Sequence, residues 1–280
     1  MPGSSQLPIS TTLGIIDHLG DDPVSLFTCS LVCLSWMTRS RAHTFYHLVV
    51  DDAARLRTLL GLLRGGTHSF RFCTRELYLG AQWPFPEHMD LSRDDFILLL
   101  ASLPTLQALT LANIRWSADT PLPLACTPHT PRHLSTLRLY HLHAAGSAAL
   151  GMAHLSSLLR LFSGIGALDM LYDADAAFST DDAPAHACAK VRALPALGEL
   201  TLLCSRAKPR IIRWLANAGV FDGLESLQLW LADEEAAVAF GRVVRASGKS
   251  LKTLGIYLIR EGMLDATREY QAALRLSSSR

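Results

Sequence analysis

The chain has 280 residues, enough for one large domain or for a small and a larger one. Apolar residues make up 49%, which excludes a disordered chain. The 26 basic and 25 acidic residues nearly cancel, which argues against a nucleic-acid binder driven by net charge. Leucine fills 51 positions, about twice the share of an ordinary globular chain, and points to a helical bundle or a leucine-rich repeat.

In chain order, Met1 to Thr12 has no positive n-region and no long apolar run, so a secretory signal is not expected. Leu7-Pro8 begins a short segment in which Ile15, Ile16 and Leu19 fall at helical spacing. Gly20-Asp21-Asp22-Pro23 breaks it. Asp22 is a good N-cap and Pro23 a good first helical residue, so a second helix starts there. Its stripe runs Leu26, Cys29, Cys33, Trp36 at steps of three, four and three, on one helical face or with a bend between a short and a longer helix. Phe45 to Val50 reads as a strand.

Leu7-Pro8, Ile15-Ile16-Asp17-His18-Leu19 and Cys29-Ser30-Leu31-Val32-Cys33-Leu34-Ser35-Trp36 together resemble an F-box, in particular its fungal form. The resemblance covers residues 7–48 and keeps the internal spacings. It implies a three-helix module that docks on the Skp adaptor of a cullin–RING (SCF) ubiquitin ligase. The implied docking set is Leu7, Pro8, Ile15, Ile16, Leu19, Leu26, Val32, Cys33 and Trp36. Where the family has Glu followed by two apolar residues, this chain has Ser10, Thr11 and Thr12. A module of about 40 residues cannot bury all its apolar side chains alone and needs a partner surface or a following domain.

Residues 49–280 carry a recurrent pattern: an apolar residue, two others, then Leu-x-Leu or a close variant. The anchors are Leu48, Leu77, Leu109, Leu137, Leu168, Leu200, Leu227 and Leu254, spaced 27 to 32 residues apart. A steady period near 30 marks a stacked repeat. Between the anchors, Ala53 to Arg64 carries a helical stripe that Gly65-Gly66 ends. Phe96, Leu99, Leu100 and Leu103 repeat that stripe, and Ser147 to Phe162 also reads as helix. Further helices are expected from Pro209 through Leu215, from Asp233 to Gly248, and from Leu264 to Leu274 as a terminal cap. Pro121 to Pro131 reads as extended loop and Asp173 to Pro184 as a mobile acidic loop. The expected fold is α/β: a small three-helix module, then an irregular leucine-rich-repeat solenoid of parallel strands and helices, similar to the degenerate repeats that follow fungal F-boxes.

Strand parity singles out an interaction face. With the Leu-x-Leu leucines inward, Tyr78, Thr110, Arg138, Asp169, Thr201, Gln228 and Gly255 point outward. Two residues on, the outward set is Gly80, Ala112, Tyr140, Leu171, Leu203, Trp230 and Tyr257. Arg138, Tyr140, Trp230 and Tyr257 are the residue types that anchor interfaces and are the candidate target-binding set.

Other constellations weigh less. Cys126, His129 and His133 have zinc-like spacing without a visible fourth ligand, and Cys29 and Cys33 at i, i+4 read better as packed core than as a metal half-site. Asp173, Asp175, Asp181 and Asp182 lack the glycine and spacing of a calcium loop. Gly164-Ile-Gly166 is no phosphate loop, and no hydrolase motif is present. No metal, cofactor or catalytic residue is therefore expected. The six cysteines form no disulfide framework, so an intracellular location, cytoplasmic or nuclear, is expected. Phe96 to Ile114 has no charge over 19 residues, but Pro104, Gln107 and Asn113 interrupt it, so no membrane span is expected. The leading expectation is a substrate-recognition subunit with two partners, the Skp-type adaptor with its cullin core and a target protein. The alternative is a non-catalytic interaction scaffold whose F-box-like start caps the repeats.

Overall fold

The structure is a computed structural model. It describes residues 9–20, 22–66, 69–81, 88–116, 132–144, 152–171, 195–203, 211, 214–215, 220–231, 238, 241, 243–245 and 249–258. The chain opens with three helices, α1 (Ile9–His18), α2 (Pro23–Ser30) and α3 (Leu34–Thr44). Asp22 caps α2 as its sequence predicts: a side-chain oxygen accepts from the Val24 and Ser25 amides at 3.1 Å, and Pro23 supplies the first helical residue.

An α/β body follows. Its main sheet has eight parallel strands: β1 (His47–Val50), β2 (Glu76–Gly80), β4 (Ala108–Ala112), β6 (Arg132–Tyr140), β8 (Phe162–Leu171), β9 (Ala196–Leu203), β10 (Ser226–Leu231) and β11 (Thr253–Leu258). They lie side by side in chain order. All eight anchor leucines form one row across the sheet, from Leu48↔Leu77 through Leu109, Leu137, Leu168 and Leu200 to Leu227↔Leu254. From Leu77 to Leu227 every one of them is buried. Parallel neighbours need a crossover, and helices supply it where the structure describes one. The first is α4 (Ala53–Gly65), capped by Asp52 on the Arg55 amide and ended by Gly66 at φ 82, the left-handed turn that glycine adopts without a Cβ clash. The next is α5 (Arg93–Ser102), capped by Ser92 on the Asp95 amide at 3.1 Å. A third is α6 (Met152–Leu159). Residues 211, 214–215, 238, 241 and 243–245 are also helical. The buried faces of these helices and the inward leucines make one continuous core from Val50 to Val243.

Several expectations need correction. Of the helix expected over 147–162, residues 147–151 lie outside the described residues and α6 ends at Leu159; Phe162 starts β8, where it pairs with Arg132. The anchor Leu254 is 44% exposed; among the described strands β11 is the last and has a neighbour on one side only. The stretch 96–114 divides between α5 and β4, and no helix among the described residues is long and apolar enough to cross a membrane. The second outward row is partly closed: Gly80, Ala112 and Leu171 are buried. A Cβ on Gly80 would stand 2.0 Å from the Ala112 carbonyl oxygen, so only glycine fits that approach. The expected loops at 121–131 and 173–184, the terminal cap at 264–274 and Asp233 lie outside the described residues.

A second sheet was not foreseen. β3 (Met89–Leu91), β5 (Ile114–Trp116) and β7 (His143–Ala144) run parallel in that order. Single residues in the left-handed region, Asn113 (φ 54) and His141 (φ 49), end β4 and β6 and turn the chain toward this sheet. Their amides donate to the Tyr140 and Leu171 carbonyls at 2.8 and 3.0 Å, so each turn is tied to the neighbouring strand.

Candidate docking and interaction surfaces

The three N-terminal helices have a core of their own, separate from the large one. Ile16, Leu26 and Cys29 are buried in it, and Leu19 and Trp36 pack against it. Ile16 and Leu26, expected as docking residues, are 0% and 1% exposed and pack between the helices. Trp36 is half-buried against the same core. Ile15 and Val32, from the same set, stand exposed. Leu7 and Pro8 lie outside the described residues.

Around these lie large apolar side chains that the helices leave in solvent. Ile15, Val24, Phe27, Leu31, Val32 and Leu34 are each between 45% and 76% exposed. Val24, Phe27 and Leu31 sit at i, i+3, i+7 and share one face of α2 and its C-cap. Four of the six were missed in the sequence reading: Val24, Phe27, Leu31 and Leu34. Their signal was present, a second stripe at steps of three, four and three beside the stripe of Leu26, Cys29, Cys33 and Trp36.

That second helix is not continuous. α2 ends at Ser30 and α3 begins at Leu34, with Cys33 as its extended N-cap. The break turns Cys33 out of the core stripe, so Cys29 is buried and Cys33 exposed. The two thiols thus form no i, i+4 half-site. Cys33 Sγ lies 3.2 Å from Ser35 Oγ. The Ser35 hydroxyl, followed by the Trp36 amide, pulls the Cys33 thiol below its ordinary pKa.

Asp17, in the last turn of α1, joins α1 to α3. Arg39 Nε donates to Asp17 Oδ1 at 2.6 Å and Arg39 Nη2 to Oδ2 at 2.7 Å, while His43 Nε2 lies 2.8 Å from Oδ1. The Arg39 guanidinium, then the His43 ring, hold the Asp17 carboxyl well below the usual carboxylate range. A carboxyl lowered on folding contributes stability that is present above its unfolded pKa and lost as pH falls through the folded one. This link is therefore intact across the neutral range and weakens only as pH falls below the usual carboxylate range.

On the main sheet, the central outward residues Tyr78, Thr110, Arg138, Asp169, Thr201, Gln228 and Gly255 are all half-buried, between neighbours that are buried as far as β10. Arg138 Nε donates to Asp169 Oδ2 on the next strand at 3.3 Å, so this candidate target residue is engaged within the sheet. Tyr140 is half-buried on the same strand. Trp230 and Tyr257 are register partners across β10 and β11, and Tyr257 is exposed. The structure therefore makes two pairs of the four candidates. β8 and β9 separate β6 from β10, and four strand spacings of ~4.8 Å put Tyr257 roughly 19 Å from Arg138.

The small sheet carries a polar group of its own. Arg115 donates to both Asp90 oxygens at 2.5 and 2.7 Å, His88 Nδ1 lies 2.6 Å from Asn113 Oδ1, and the His88 and His143 rings are 4.0 Å apart. Among the described residues no three His, Cys, Asp or Glu side chains converge as a metal site. Gly164 and Gly166 lie within β8, where strands approach closely: a Cβ on Gly166 would stand 2.6 Å from the Ser135 carbonyl oxygen. Compared with protein-family models, curated proteins and solved structures, the chain matches none.

Proposed function

We propose that the chain is the substrate-recognition subunit of an SCF-type (cullin–RING) E3 ubiquitin ligase. The α1–α3 module docks on a Skp-type adaptor, and the repeat region holds a target protein. The observation that carries this reading is the surface of α1–α3. Three buried apolar residues support six large exposed ones. Apolar groups gathered on so small a module are the mark of a surface that a partner covers. Ile15, Val24, Phe27, Leu31, Val32 and Leu34 make the contact, with Cys33 beside them and Leu7 and Pro8 added by the F-box resemblance. The strand order and the 27-to-32-residue anchor spacing support a leucine-rich-repeat solenoid whose sheet presents the target face.

Such a subunit is not an enzyme and needs no cofactor. It raises the effective concentration of target lysines near the charged conjugating enzyme. Trp230 and Tyr257 are neighbours and anchor the target; Arg138 and Tyr140 form a second contact. The test is a paired pull-down of the intact chain with Skp-type adaptor and with the partner the wild type captures. Trp230→Ala and Tyr257→Ala should each weaken target capture at least tenfold with adaptor binding unchanged. Full target retention by both would move the target site off this face.

A second reading is a non-catalytic scaffold that never enters a ligase. It is favoured by Ser10 and Thr11, which lie exposed on the first turn of α1 where the family has an acidic and an apolar residue. Failure of the wild type to take up the adaptor selects it.

A further inference from the structure

We propose that Asp17 is a positioning residue of the docking surface: gripped by Arg39 and His43, it fixes α1 against α3 and so sets where Ile15 stands relative to Phe27, Leu31 and Leu34. This rests on the docking function proposed above.

The exposed apolar residues belong to three separate segments: Ile15 to α1, Val24 and Phe27 to α2, Leu34 to α3. A partner reads them as one surface only if the helices keep a fixed relation. The apolar core between them, Ile16, Leu26 and Cys29 with Leu19 and Trp36, is small and non-directional. Side chains of this kind set which faces meet and leave the axial position loosely defined. The Asp17–Arg39 contact is directional. Two parallel N–H···O bonds define both a distance and a plane. His43, four residues beyond Arg39, presents its ring to the same carboxylate from the same face of α3.

Local helix energetics do not account for Asp17. A carboxylate in the last turn opposes the helix dipole. Its favourable interactions come from α3, 22 and 26 residues away in sequence. Asp17 and Ile15 are two positions apart and so point to nearly opposite sides of α1. The clamp thus holds one side of the helix while Ile15 is offered on the other. Exposed single ion pairs contribute little to stability. The effect expected here is therefore on the geometry of the surface and not on whether the protein folds.

The experiment uses the full chain and purified Skp-type adaptor, with Arg39→Ala and the swapped pair Asp17→Arg/Arg39→Asp. Adaptor affinity is read by titration, and amide exchange is followed in α1 and in the main sheet. Arg39→Ala should bind at least fivefold more weakly and its α1 amides exchange at least fivefold faster, with the sheet amides unchanged. The swapped pair should recover both toward wild type. A direct contact of Arg39 with the adaptor would not be rescued by the swap, so weak binding in both variants overturns the proposal. Unchanged affinity in Arg39→Ala overturns it as well. If the wild type takes no adaptor, the docking reading fails, and the α1 exchange rates of the two variants still decide whether the clamp fixes the helix.

Discussion

Ser40 on α3 is fully buried, and its hydroxyl has no hydrogen-bond partner among the described residues. A buried, unpaired hydroxyl is destabilising by about 1–3 kcal/mol, and alanine is also the better helix former. Ser40→Ala should therefore raise the stability of α1–α3 by about 1 kcal/mol, read from amide exchange in those helices; a loss of similar size would contradict the packing described. At this scale the sequence is ambiguous in a specific way. Ile15 and Ile16 are adjacent and chemically the same, yet one is exposed and the other buried. On a helix that carries both a buried and an exposed apolar stripe, an apolar residue does not announce which side it takes. Ile16 and Leu26, expected as docking residues, lie buried in the small core for that reason.

Among the elements, the strands of the main sheet were the most legible. Each carries Leu-x-Leu or a close variant, and burial of alternate residues allows one register only. Leu137, Leu200 and Leu227 lie at 0–1% exposure in one row, and Arg138, Thr201 and Gln228 lie half-buried beside them. Each leucine changed to Ala should cost about 2–5 kcal/mol, and each outward residue changed to Ala about 0.5 kcal/mol or less, measured by denaturant unfolding. Comparable losses in both rows would mean the parity is wrong. The small sheet was illegible because two or three residues are too few for a period to show, although Met89-Asp-Leu91 and Ile114-Arg-Trp116 each place a charge between two buried apolar residues. The end of α6 was misread because Leu161 and Phe162 extend its apolar spacing by chance while belonging to the turn and to β8.

At the scale of the whole molecule, two cores divide two tasks. The large one runs through the strand and helix units and holds the sheet. The small one holds α1–α3 with part of their apolar surface left in water. Changes confined to the exposed face of α2 should therefore affect docking and leave the sheet intact. Trp36→Ala is a poor probe of this, since Trp36 packs against the small core and its loss disturbs the module itself. Phe27 and Leu31 are the better probes, exposed at 65% and 72%. The most direct measurement is a calorimetric titration of purified Skp-type adaptor into the intact chain and into Phe27→Ser/Leu31→Ser, with circular dichroism on both chains. The account predicts that the wild type binds, that the double variant binds at least a hundredfold more weakly, about 2.7 kcal/mol, and that the two spectra coincide. Equal affinity in the two chains, or no binding by the wild type, would contradict it.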